Sequence, residues 1–108
     1  MLDGLWILMI QPPPVASGGV VVFLNGKVFG RDSAFTWVGS YSSDLKLLKG
    51  RVHVHNFDPN VPSVLGVTGD YDMHFSGNIQ GDTINGTAMI ANQPQHSLAI
   101  RLEKRSNL

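Results

Sequence analysis

Val20-Val21-Val22-Phe23-Leu24-Asn25-Gly26-Lys27-Val28-Phe29-Gly30 reads as two short apolar runs joined by Asn-Gly. Both residues of that pair tolerate φ > 0, so the dipeptide between apolar runs is the strongest short-range sign of a tight β-hairpin. The same grammar extends in both directions along the chain. Apolar runs close on turn residues about every ten positions, and no window repeats apolar residues at i, i+3, i+4 and i+7. Strands are predicted at 4–10, 18–24, 27–30, 34–41, 46–57, 70–79, 83–91 and 96–104. Gly81-Asp82 and Asn92-Gln93-Pro94 join neighbouring strands tightly. Pro12-Pro13-Pro14, which lacks backbone donors, reads as a stiff exposed connection. The one long connection, 58–69, carries Val61, Val64, Leu65 and Val67. That is too apolar for a free loop, so it is expected to fold over a barrel mouth or apolar surface. Short turns favour an up-and-down meander, and closing the sheet removes its exposed edges. The expected fold is all-β, an eight-stranded antiparallel barrel with a long loop folded over one side.

The composition bounds what such a barrel does. The 108 residues make one domain, 1–108, and 43% of them are hydrophobic, which suits a globular core. Eight basic residues balance eight acidic ones. A nucleic-acid binder is expected to carry a basic face, and only Arg101, Lys104 and Arg105 cluster. There is no cysteine, which rules out disulfides and thiolate chemistry. The apolar stretch 5–10 is too short for a membrane helix and lacks the flanks of a signal peptide, so a cytoplasmic protein is expected.

Alternation along each strand sorts its side chains onto two faces. Phe35, Trp37 and Tyr41 share one face; so do Tyr71, Met73 and Phe75, and so do Leu98, Ile100 and Leu102. These sets belong to the interior, and Phe35, Trp37, Tyr71, Met73 and Phe75 are the candidate lining of a ligand cavity. The first two strands differ, because Leu5, Ile7 and Met9 alternate with Trp6, Leu8 and Ile10, and "VVVFL" repeats the pattern. A barrel wall greasy on both sides implies a covered outer surface. A homodimer interface on Leu5, Ile7, Val20 and Val22 is the simplest cover. The other is the chain's own long loop.

His53 and His55, two residues apart on one strand, share a face with Lys49 and Arg51. If the next strand pairs symmetrically about the long loop, His74 falls near His53 and Asp72 near His55. That quartet has the donor types of a zinc or nickel site, but it faces outward with Arg51 beside it. A solvated face is the preferred reading, with no cofactor expected. No serine has a G-x-S-x-G context, and no carboxylate pair is placed for acid–base work. The chain is therefore read as non-enzymatic, with a metal-dependent enzyme on the histidine face as a third idea.

Four segments carry a resemblance: "DGLWILMI" at 3–10, "GGVVVFLNGKVFGRDSAFTWVGSY" at 18–41, "VHVHNFDPNVPSVLGV" at 52–67 and "FSGNIQGDTINGTAMI" at 75–90. Together they resemble the GrlR-like family of negative regulators of type III secretion. The resemblance implies a lipocalin-like (calycin-type) barrel with an apolar cavity, a loop acting as a plug, and a homodimer. It also implies a regulator that sequesters a transcriptional activator without binding DNA. The family's acidic recognition run aligns with 41–49 here, where Ser42, Ser43 and Asp44 form the candidate partner-binding loop. Only Asp44 is acidic in that stretch, and Lys46 and Lys49 reverse the local charge. The leading expectation is a regulatory protein acting by protein–protein binding. The alternative is a carrier or sensor of a small hydrophobic ligand.

Overall fold

A computed structural model describes residues 2–11, 18–63, 67 and 69–108. Its strands are β1 (Gly4–Gln11), β2 (Gly18–Leu24), β3 (Lys27–Arg31), β4 (Phe35–Ser43), β5 (Leu47–Asn56), β6 (Tyr71–Gln80), β7 (Thr83–Ile90) and β8 (Gln93–Asn107). They follow one another around a closed barrel in which each pairs antiparallel with its neighbours and β8 returns to β1. No helix long and apolar enough to cross a membrane occurs among the described residues. The Pro12–Pro14 connection, and Val64 and Leu65 of the long one, lie outside the described residues.

The Asn-Gly pair makes the hairpin turn between β2 and β3. Asn25 has φ 50° and Gly26 φ 79°, the positive pair that matches the twist of the flanking strands. The Gly26 carbonyl accepts a hydrogen bond from Tyr41 N at 2.9 Å, which ties this turn to β4. Gly81 and Asn92 take the left-handed conformation in the other two tight turns. The last strand starts earlier than the expected 96. Gln93 already pairs with Ile90, whereas Met89 pairs with Ser97, so residues between them bulge out of the ladder. Pro94 falls inside that bulge, where its missing N–H breaks no ladder bond.

Inward residues divide the lumen into two zones. At the end holding the β2–β3, β4–β5 and β6–β7 turns, Trp6, Phe23, Leu48 and Ile84 are buried to 1% exposure or less. Trp6 meets Phe23 edge-on at 5.8 Å, and Phe23 meets Tyr41 edge-on at 5.0 Å. The Trp6 indole N–H donates to the Leu2 carbonyl at 2.9 Å, so this buried donor is satisfied. At the opposite end the rings lie against the wall instead of filling the lumen. Trp37 pairs with Gly30 across the ladder, and a methyl group on Gly30 would meet the Trp37 indole nitrogen. Phe75 likewise pairs with Gly50 and covers it. Glycines facing these rings let them fold flat, which leaves open space between them.

Candidate functional site

That space is a cavity of about 130 Å³. A dry protein cavity of about this size, ~150 Å³, is large enough to take benzene. The walls come from both apolar parities read in the sequence. Phe35, Trp37, Tyr71, Met73 and Phe75 all line it, joined by Leu8, Ile10, Val52, Val54, Ala88 and Leu98. Polar groups are few and stand towards the end where β3 meets β4 and β5 meets β6. The Tyr71 hydroxyl and Ser63 Oγ lie 3.0 Å apart, with Ser63 buried at 6% exposure in the long connection. Burial pushes the Tyr71 phenol above its usual range, and the Asp32 charge adds to the rise. Asp32 also lines the cavity, and its Oδ1 accepts from Ala34 N at 2.9 Å and Phe35 N at 2.8 Å. The buried Trp37 Nε1 has no hydrogen-bond partner among the described residues. Leaving such a donor unpaired costs about 1–3 kcal/mol.

The outer wall carries a second feature. Leu5 stands opposite Val22, Val22 opposite Phe29, and Phe29 opposite Val38, which makes one apolar row across β1 to β4. Ile7 and Val20 pair beside it. Val38 is 62% exposed and Phe29 40%. Leu5, Ile7, Val20 and Val22 thus share the outer face, and Phe29 and Val38 extend the row beyond the residues singled out from the sequence.

The same row continues into the histidine face, where the register differs from expectation. His53 pairs with Asp72, and Arg51, not His53, stands opposite His74. Asp72 was expected beside His55, whose partner is instead Asp70. His53 Nδ1 lies 2.8 Å from Asp72 Oδ1, and its Nε2 lies 3.5 Å from Asp70 Oδ2. His55 Nδ1 lies 3.0 Å from both Asp70 oxygens, and Asn56 N donates to Asp70 Oδ1 at 3.2 Å. A two-residue slip moved these partners while keeping every side chain on its face. Among the described residues no group of three or more His, Asp or Glu side chains is arranged to hold a metal ion.

The arrangement suits a protonated imidazole, because only then can both ring nitrogens of His53 donate to carboxylates. The hydrogen bond to Asp72 raises the His53 pKa, desolvation opposes it, and Asp70 adds to the rise. The bonds from His55 and Asn56 N hold Asp70 below the usual carboxylate range. The His53 contribution to stability is complete below the unfolded pKa of about 6.5 and is lost as pH rises through the raised folded value. The Asp70 contribution is present above about 3.9 and is lost as pH falls through the lowered value. Asp72→Asn should return the His53 titration, followed by NMR, towards its ordinary midpoint. An unchanged midpoint would show that Asp72 is not the cause.

The predicted partner loop is an exposed turn between β4 and β5. Asp44 Oδ1 accepts from Lys46 N and Leu47 N, each at 2.8 Å, and these bonds lower its pKa. The carboxylate therefore folds its own turn. Ser42 and Ser43 are exposed beside it on the last residues of β4. Two contributors escaped the sequence reading: Asp32 and Ser63 at the cavity. Asp70 had one usable signal in the sequence, since Asp-x-Asp at 70–72 mirrors His-x-His at 53–55 across an antiparallel pair.

Searches of the chain against protein-family models and against curated proteins return no match.

Proposed function

We propose that this barrel is a non-enzymatic, cytoplasmic regulatory protein of the GrlR-like type, lipocalin-like in shape, working as a homodimer that binds a transcriptional activator. The observation that carries the reading is the outward apolar row Leu5–Val22–Phe29–Val38. Contiguous apolar surface on a soluble chain is characteristic of an interface, and a two-fold pairing of this row covers it with itself. The β4–β5 turn, with Lys46 and Lys49 beside Asp44, suits an activator surface that is acidic where it meets this turn. Coexpression with the activator of a type III secretion promoter and a reporter tests the reading. The reporter should fall and the activator should co-purify with the barrel. An unchanged reporter with no co-purification would overturn it.

The cavity favours a second reading, a carrier or sensor of a small hydrophobic ligand. Small eight-stranded barrels sit at the size where the interior is either filled or holds one small molecule. The two readings are compatible, since a ligand inside the wall can alter how the outside meets a partner.

A further inference from the structure

The cavity's few polar groups define which small molecule it accepts, an inference that rests on the carrier reading. Among the described residues Asp32 is the only carboxylate lining the space, and no lysine, arginine or histidine lines it. Residues 12–17, 64–66 and 68 are Pro, Val, Ala, Ser, Leu, Gly and Thr, so none of them brings a cationic side chain. A carboxylate ligand would therefore enter an apolar space with no counter-ion and a like charge at its polar end. That like charge opposes a carboxylate at the half-buried polar end, and the loss of hydration in the apolar space adds to the cost.

The same end welcomes a donor. Asp32 Oδ1 is occupied by the amides of Ala34 and Phe35, and Oδ2 has no hydrogen bond among the described residues. The Tyr71 phenol and Ser63 hydroxyl already engage one another beside it. Apart from the Trp37 indole N–H, which lies against Gly30, the rest of the lining is apolar, and aromatic rings (Phe35, Trp37 and Phe75) lie along the wall. A volume of about 130 Å³ admits one ring with a short substituent and excludes a long acyl chain folded inside.

We infer that the cavity binds a small uncharged ring compound bearing one O–H or N–H donor, with the ring against Phe35, Trp37 and Phe75 and the donor on Asp32. Free carboxylates, including fatty acids, are excluded by the Asp32 charge.

Three probes separate this from the carrier reading itself: toluene, benzamide and benzoate, the last two nearly equal in shape, benzamide being an uncharged N–H donor and benzoate an anion without a donor. Binding is followed by heteronuclear NMR at neutral pH on the full chain. Toluene should bind, and benzamide should bind at least about tenfold more tightly than benzoate. Asp32→Asn keeps an oxygen for Ala34 N and Phe35 N while removing the charge. It should raise benzoate affinity about tenfold relative to that of toluene. Toluene binding combined with benzoate as tight as benzamide in the natural protein would overturn the inference and leave the carrier reading standing. Failure of all three probes to bind would overturn the carrier reading and the inference with it. The comparison in the natural protein does not depend on the variant folding.

Discussion

Trp6→Ala is expected to lower the unfolding free energy by about 3–5 kcal/mol, a large part of the ~5–15 kcal/mol typical of a whole domain. Trp6 is 1% exposed, and it packs edge-on against Phe23 at the closed end of the barrel. Its truncation deletes a large apolar surface, leaves a void among fully buried neighbours, and strands the Leu2 carbonyl that accepts its N–H. Because β1 pairs with both β2 and β8, loosening this position also weakens the strand that closes the barrel. Urea denaturation followed by circular dichroism measures the loss. Val38→Ala, at an exposed site, should change stability by no more than about 0.5 kcal/mol. A Trp6→Ala cost no larger than that of the control would show that the closed end is not the stabilising core.

Phe29→Glu together with Val38→Glu should convert the proposed dimer into a monomer. Four strands spaced ~4.8 Å apart place the row from Leu5 to Val38 across roughly 14 Å, and Phe29 and Val38 are neighbours within it. Two carboxylates buried at a self-pairing surface meet their own copies, and uncompensated buried charge costs several kcal/mol. Association should weaken at least about a hundredfold. Sedimentation equilibrium reads the mass, and an unchanged circular dichroism spectrum shows that the barrel survives. Toluene binding should persist, since both side chains point away from the lumen. A natural protein that sediments as a monomer at micromolar concentration would remove the dimer, and a variant that stays dimeric would move the interface elsewhere.

What the sequence alone determined is local. Eight strands, their tight turns and the inside–outside parity of Phe35, Trp37, Tyr71 and Met73 follow from two-residue alternation and from residues that accept positive φ. The two-sided apolar character of β1 and β2 was legible for the same reason, and so was the place of His53 and His55 on the outer wall. Tertiary structure decided whatever depends on register and on space between distant strands. Across the long connection from β5 to β6, a slip of two residues preserves every face. Parity therefore could not tell His53–His74 from the observed His53–Asp72 pairing. The cavity was hidden in a similar way. Trp37 and Phe75 are large enough to fill the lumen, and only their positions opposite Gly30 and Gly50 let them lie along the wall. Asp32 and Ser63 reach the same space from connections far apart in sequence, brought together by closure of the barrel.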